Sequence, residues 1–496
     1  MIVFVLLIVI WSNASSVLAQ TKIELTDNQK YIMIQDVQGD PDQHEQVFGI
    51  DNRSNILLDG SENYYSISMK EPHEGDAFGI KVKGEYCVND TIRRVTFTHC
   101  GGGIYGGPWG GEGGLVDDCI FIENDRWGIR FGRFPNLGLE IRNCLFEDNN
   151  NGLDMKCVQS MWVHDNQFTA DTSRGIVLES RAEYTSRDNI IEHNVFTGHD
   201  SYGIEVTEEA VSNTIRENLF INDPIRVDNA DNNLFVGNFI TDCDTAIWVT
   251  GCVGNVFEKD TVENSTNYDV LLGNAAEVSF IASIFDTQKV NFADSESKLL
   301  VKWYLDVTVT NGGPIEGAIV KCYNKDGSLI AETITGTDGK TDTLVLPQFV
   351  MDSTTTLFYT PYSVVTSKEG YGTDTTNVDL TESKSVEITL TSTGVAEFER
   401  MGIPHHFVLE QNYPNPFNPS TLISYQLPKT SKVILKIYSI NGQLVKTLIN
   451  EFQNAGKYTV KWDGKDRNGK MIPSGIYIYS LIGDDYMESR RMVLLR

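Results

Sequence analysis

The chain has 496 residues, 41% of them hydrophobic, and sets 40 Lys and Arg against 68 Asp and Glu for a net charge of −28. At ~150 residues per domain this length predicts several domains, and the hydrophobic share is ordinary for soluble globular protein. The acidic balance excludes nucleic acid as a partner, because phosphate binding needs a basic surface. It is compatible with Ca²⁺ sites, although solubility at a cell surface is the favoured reading.

Residues 1–19 read as an export signal: an apolar run from Ile2 to Trp11, then Val17, Leu18 and Ala19 ahead of Gln20. No Lys or Arg precedes the run, which departs from the usual pattern. The run is too short for a membrane anchor, and no other segment is long enough to cross a bilayer. Residues 20–90 are expected to cap the next region and supply its first coils.

From residue 91 to 297 an Asn-x-Phe motif recurs about every 23 residues. Its anchors are Phe97, Phe121, Phe146, Phe168, Phe196, Phe220, Ile240, Val262 and Phe285. Such a period means stacked units that bury their apolar face only against each other. Two residues before the anchors stand Val95, Cys119, Cys144, Asn166, Asn194, Asn218, Asn238, Asp260 and Ser283, small or amide groups able to bond from rung to rung. After most anchors a second short strand opens on a small residue, at Gly103, Gly128, Gly152, Gly175, Gly203 and Ala246. Its alternation points Ile129 and Phe131, Leu153 and Met155, Ile176 and Leu178, and Ile204 and Val206 inward.

The predicted fold class is therefore all-β: a right-handed parallel β-helix followed by two β-sandwich domains. Residues 91–290 resemble the right-handed β-helix repeats of the pectate-lyase-like superfamily. That resemblance is specific for fold and weak for function, because its members include polysaccharide lyases, glycoside hydrolases, uronate epimerases, phage tailspikes and surface proteins without known activity.

Eight cysteines in an exported chain suggest disulfides. Cys119 and Cys144, however, fall at inward ladder positions, where stacked free thiols are favoured over a bridge. Cys87 with Cys100, and Cys243 with Cys252, stay open as pairs. No Cys and His spacing fits structural zinc, so no metal site is predicted.

Residues 298–395 change to alternating strands with turn signals and read as a β-sandwich. Pro314 to Ala318 and the Thr337-Asp338-Gly339 turn resemble carboxypeptidase regulatory-like, transthyretin-type modules, and a spacer that holds the preceding region away from the surface is the favoured reading. After a linker, 396–406, residues 407–496 form a second sandwich. It opens on Gln411-Asn412-Tyr413-Pro414-Asn415-Pro416-Phe417-Asn418-Pro419, too stiff and donor-poor to join a sheet, and carries an Asn441-Gly442 hairpin turn. With Gly456 to Gly464 and Pro473 to Tyr479, this region resembles the C-terminal sorting domain of the type IX secretion system. The resemblance implies passage across the outer membrane of a Bacteroidetes-type bacterium, with the secretion machinery as partner and the protein secreted or attached to the surface, expected as a monomer.

Candidate chemistry lies on the outward side of the second strands, where Tyr105, Arg130, Asp154, Val177, Glu205, Arg226 and Trp248 are predicted to stack. Gly132, Lys156, Glu179, Thr207 and Asp228 lie two residues further on, with Arg133 and Arg181 beyond. Aromatic rings stack on sugars and Arg forks hold carboxylates, so Tyr105, Arg130, Arg133, Glu179, Glu205 and Trp248 are the expected polysaccharide contacts. Uronate β-elimination assigns Lys156 as base and Arg181 as partner of the carboxylate or leaving group, with Asp154 as the third candidate catalytic residue. This pattern resembles, distantly, the Lys and Arg strands of chondroitinase B and alginate lyases, and lacks the motif contexts around them. Glycoside hydrolysis through Asp154, Glu179 and Glu205, a non-catalytic glycan-binding surface, and a purely structural charge ladder remain the alternatives. His73, His99, His164, His193 and His199 are read as solvated or capping groups, Trp127 and Trp162 as cover for the coil or its loops, and Gly101 to Gly114 as a mobile loop.

Overall fold

The computed structural model describes residues 23–24, 30–32, 37–39, 46–51, 56–60, 66–69, 77–83, 89–106, 113–132, 136–181, 184–393, 404, 406–483 and 486–495. The export signal, His73, Cys87, Arg133 and all but Pro404 and His406 of the 396–406 linker lie outside them. Among the described residues no helix is long and apolar enough to cross a membrane.

Three parallel sheets run the length of a right-handed β-helix, and each coil passes through three short strands, one more than the motif predicts. The additional strand precedes the anchor strand. Its inward residue stands five positions ahead of every anchor, at Ile92, Val116, Ile141, Val163, Ile191, Ile215, Phe235, Phe257 and Phe280, and all are buried and in register. Between the two strands one residue turns the chain, with φ between +51° and +65° from Arg94 through Gly237 to Ala282. Single residues in this conformation bend an extended chain sharply without starting a helix. The parallel pairing continues back to Ile23–Glu24, so the amino-terminal segment is built as further coils.

The anchors fill the middle. Phe97, Phe121, Phe146, Phe168, Phe196 and Phe220 stack with ring centroids 4.6–4.9 Å apart and planes within 7°. Ile240 and Val262 continue the column in register. Phe285 does not: its sheet ends at Thr261–Glu263, and its ring tilts 49° against Phe280. The small residue opening each second strand is a consequence of this column. A Cβ on Gly128 would come within 2.6 Å of the Phe146 ring and 2.7 Å of the Gly152 carbonyl.

Buried amides bond along the axis at three corners. The predicted ladder runs Asn166, Asn194, Asn218, Asn238, Asp260, each side-chain N–H donating to the next side-chain oxygen at 2.8–3.1 Å. A second, unforeseen ladder of Asn189, Asn213 and Asn233 lies five residues upstream, at 2.8 and 2.9 Å, and passes to Asn255 through the Asn233 backbone N–H. The third links Asn124, Asn149 and Asp171, then inserts His199 between Asp171 (3.3 Å) and Asp223 (2.8 Å). His199 is thus fully buried between carboxylates, not solvated as expected. Although burial disfavours its charge, the two carboxylates hold its pKa up at about 9. Cys119, Cys144, Cys157, Cys243, Cys252 and Cys322 are free and buried, so Cys243 and Cys252 do not pair; Cys100 is buried as well, and its candidate partner Cys87 lies outside the described residues.

The strand Lys298–Thr310 ends the β-helix and begins the next unit. Its first half pairs in parallel with Glu277–Ile281 on one edge and antiparallel with Leu344–Met351 on the other, and its second half pairs in parallel with Lys384–Thr389. A four-stranded sheet of Leu329–Ile334, Ile319–Tyr323, Tyr362–Ser367 and Asp374–Val378 closes this sandwich over Leu305, Val307, Val320, Cys322, Val364 and Leu390. The carboxy-terminal unit sets Val408–Leu409, Thr421–Leu427 and Gly456–Trp462 against a sheet of Leu444–Gln453, Ser431–Ser439, Gly475–Gly483 and Tyr486–Leu494, around Trp462, Tyr425 and Tyr479. Gly442 takes φ +79° in the predicted hairpin turn.

Asp260 ends a ladder of amides as a carboxyl group. Its Oδ1 accepts from Asn238, its Oδ2 has no partner, and burial pushes its pKa up to about 7. A raised folded-state value means that the contribution is complete below the unfolded value near 4 and is lost as pH rises toward 7. At ~1.4 kcal/mol per tenfold, the gap is worth about 4 kcal/mol. Asp260→Asn is expected to match the parent near pH 4 and exceed its stability by up to that amount above pH 7, as measured by urea unfolding across pH.

Candidate functional site

The outward face of the second-strand sheet carries three parallel rows, with rungs ~4.8 Å apart. The middle row stands in register as Tyr105, Arg130, Asp154, Val177, Glu205, Arg226 and Trp248, as the sequence predicts, and extends back to Lys81. On one side run Lys156, Glu179, Thr207 and Asp228. On the other run Phe78, Gly102, Trp127, Asn151, Arg174 and Tyr202. The sequence expectations leave this last row out, although its signal is present at every strand but that of Gly102: a larger residue immediately before the small one that opens the strand. Gly102–Gly106 is itself a regular strand, so the glycine-rich run begins as sheet, while residues 107–112 lie outside the described ones.

The rows interlock. The Arg130 guanidinium sits 4.0 Å from the centre of the Trp127 ring and 3.5 Å from the Asp154 carboxylate, so Trp127 belongs to the face and does not merely cover it. Arg126 approaches the same ring at 5.0 Å. Tyr105 reaches along the axis so far that a Cβ on Gly132 would stand 2.2 Å from its hydroxyl. Lys156 pairs with Glu179, and Arg174 with Glu205 at 2.6 Å. Arg226 lies 5.4 Å from both the Tyr202 and Trp248 rings, bonds the Tyr202 hydroxyl at 3.2 Å, and pairs with Asp228 at 2.9 Å and Glu205 at 3.5 Å.

Outward does not mean solvated here. Asp154, Lys156 and Glu205 are each at most 7% exposed, whereas Arg181 is open to solvent just past its strand. Burial raises the pKa of Asp154 against the pull of Arg130, Lys156, Arg174 and Arg181. Burial likewise lowers that of Lys156, opposed by Asp154 and reinforced by Arg181. Both groups are drawn toward their neutral forms, the condition in which a carboxyl group gives a proton and an amine takes one. The Oδ1 of Asp154 is buried without a hydrogen-bond partner.

The neighbouring sheet offers a contrast. Its outward row runs Asp59, Arg93, Asp117, Arg142, His164, Glu192, Arg216, with close pairs at Arg93 and Asp59 (2.7 Å), Arg142 and Asp117 (3.0 Å), and Arg216 and Glu192. Signs alternate there from Asp59 to Arg142 and again from Glu192 to Arg216, as a charge ladder requires, with His164 between the two runs. On the candidate face the alternation breaks at Val177, leaving Asp154 with a cation on one side only of its row. Trp162, half exposed, stacks on His164 at 4.0 Å on that other sheet, away from the candidate site. His99 and His193 pair at the surface with Glu123 and Glu217.

A family model described as the right-handed beta helix region matches residues 44–220 and 174–299, and one described as the FlgD Ig-like domain matches 417–484. No curated protein matches the chain in sequence. Among solved structures, a double mutant of the periplasmic alginate epimerase AlgG aligns over 55% of this chain and 75% of its own, at 11% identity and TM-score 0.41. DFA-IIIase from Arthrobacter chlorophenolicus A6 aligns over 56% and 85%, at 11% and 0.41. A mutant tailspike protein of E. coli bacteriophage HK620, in complex with pentasaccharide, aligns over 69% and 81%, at 11% and 0.38.

The pairing of Lys156 with Glu179 is directly testable. Either charge reversal alone strands a buried ion and is expected to cost roughly 3 kcal/mol. The exchange Lys156→Glu with Glu179→Lys is expected to recover most of that loss, as read by urea unfolding of the two single variants and the double variant.

Proposed function

The chain belongs to the right-handed beta helix family, and on that premise we propose that it is an exported protein whose long sheet face binds an acidic polysaccharide and cleaves it by β-elimination. The observation that carries this reading is the juxtaposition of Asp154 and Lys156, buried and drawn toward neutrality, with the exposed cation Arg181. Elimination beside a uronate carboxylate needs that carboxylate neutralised, its α-proton removed and the leaving oxygen protonated. Arg181 takes the first role, the amine of Lys156 the second and the carboxyl of Asp154 the third. Tyr105, Trp127, Arg130, Arg226 and Trp248 then line the path of the flanking sugars, through ring stacking and bidentate contacts to carboxylates.

A second reading, glycan binding without reaction, is favoured by the pairing itself, because Lys156 is engaged by Glu179 and Glu205 by two arginines. Delivery is the other half of the proposal. The Pro-rich opening at 411–419, the terminal two-sheet sandwich and the match to an Ig-like domain support a type IX sorting domain that routes the protein to the cell surface. The sandwich begun by Lys298–Thr310 acts as a regulatory-like spacer between the two, and the motif at Pro314 to Ala318 supports that role.

Incubation with alginate, pectate or chondroitin sulfate, with and without Ca²⁺, is expected to give unsaturated products that absorb in the ultraviolet. Lys156→Ala is expected to lower that rate by ~10²–10⁴, with Arg181→Ala acting mainly on substrate affinity. Binding without absorbance or new reducing ends establishes the second reading, and reducing ends without absorbance establish hydrolysis. Deletion of residues 407–496 is expected to leave the protein in the periplasm of its native cell, as judged by fractionation.

A further inference from the structure

A cleft of about 540 Å³ opens where the β-helix gives way to the first sandwich, well along the axis from Lys156. It exists because the three sheets end unequally. The anchor sheet stops at Thr261–Glu263, with one bridge from Thr261 to Ile284 beyond it, while the neighbouring sheet continues through Lys298–Thr310 into the sandwich. Phe285 therefore leaves the core column and lines this gap together with Trp303 and Phe358.

The lining is unusual for a chain of net charge −28: no lining residue is charged. Trp303, Phe285 and Phe358 supply ring faces, and Thr287 and Thr356 supply hydroxyls at the margin. The Trp303 indole N–H donates to Gln348 Oε1 at 2.7 Å. That bond fixes the ring and leaves the amide NH₂ of Gln348 as a donor. Phe358, 44% exposed, and Ile284, 64% exposed, leave apolar surface at the mouth. The walls are preorganised, since one 13-residue strand pairs into both the last coil and the sandwich.

We propose that this cleft is a second binding site, specific for an uncharged pyranose unit. Aromatic faces, hydroxyls and one amide without any fixed charge suit the C–H face and hydroxyl edge of a neutral sugar, and give no counter-charge to a uronate. The choice of a sugar over other neutral rings rests on the polysaccharide reading above. The two sites then divide a mixed polymer, with acidic stretches on the charged face and neutral stretches in the cleft, and joint engagement raises avidity.

The test is isothermal titration of the whole chain with cellohexaose, laminarihexaose and xylohexaose, beside an oligouronate. A neutral oligosaccharide is expected to bind, with Trp303→Ala and Phe358→Ala each weakening it roughly tenfold and Lys156→Ala leaving it unchanged. Phe358 lies on an exposed edge strand, so its variant separates lost contact from lost folding, checked by an unaltered melting temperature. No heat from any neutral oligosaccharide overturns the proposal, as does equal binding by both aromatic variants. If elimination fails on every uronate while neutral binding persists and depends on Trp303, the elimination reading falls and the cleft stands.

Discussion

In-register stacking of equivalent residues is the constraint from which the rest of this molecule follows. A parallel coil places each side chain directly over its counterpart one turn earlier, so every position must be a residue that tolerates itself, or its complement, at ~4.8 Å. Phenylalanine satisfies this by ring stacking, asparagine by donating to one neighbour and accepting from the other, and a single left-handed residue by turning the corner identically each time. Leaving one buried amide out would strand both a donor and an acceptor, which is why the ladders run unbroken over several turns.

The same rule limits charge. A carboxylate above a carboxylate is costly, so a charged row must alternate in sign or be interrupted. The neighbouring sheet alternates from Asp59 to Arg142 and resumes from Glu192 to Arg216. The core shows the same logic in miniature, where His199 separates Asp171 from Asp223 and would otherwise be the wrong residue for a buried corner. Against that background Asp154 is an exception: Val177 follows it where a cation would continue the pattern, and one of its oxygens stays unbonded. Asp154 is thus a buried acid whose row supplies a cation on one side only, a setting that perturbs a carboxyl group in the way functional sites do.

Much of this was legible in the sequence because periodicity converts spacing into position. The outward row from Tyr105 to Trp248, the inward pairs such as Leu153 and Met155, and the ladder from Asn166 to Asp260 all follow from counting residues from an anchor. What escaped was whatever the anchor did not index. The strand centred on Ile141 or Val163 is only three residues long, too short for alternation to declare it, and only its constant offset from the anchor betrays it. Trp127, Arg174 and Tyr202 precede the small residue used to mark their strands, so they fell outside the pattern. The burial of Lys156 and Glu205 depends on how neighbouring long side chains fold over them, which no one-dimensional period encodes.

A stack of parallel strands also has to end, and an open final rung offers unpaired backbone groups to any passing strand. Here one of the three sheets does not end: Lys298–Thr310 completes the last rung and turns its remaining length into a sandwich, so backbone groups that would face solvent are consumed by Leu344–Met351 and Lys384–Thr389. The anchor sheet, which stops a coil earlier, cannot be closed by the same strand. The mismatch leaves aromatic residues such as Phe285 and Trp303 around a gap instead of in a column. A surface feature with binding chemistry thus arises as a by-product of termination, because protecting one edge of a three-sided solenoid leaves the adjacent corner unfilled.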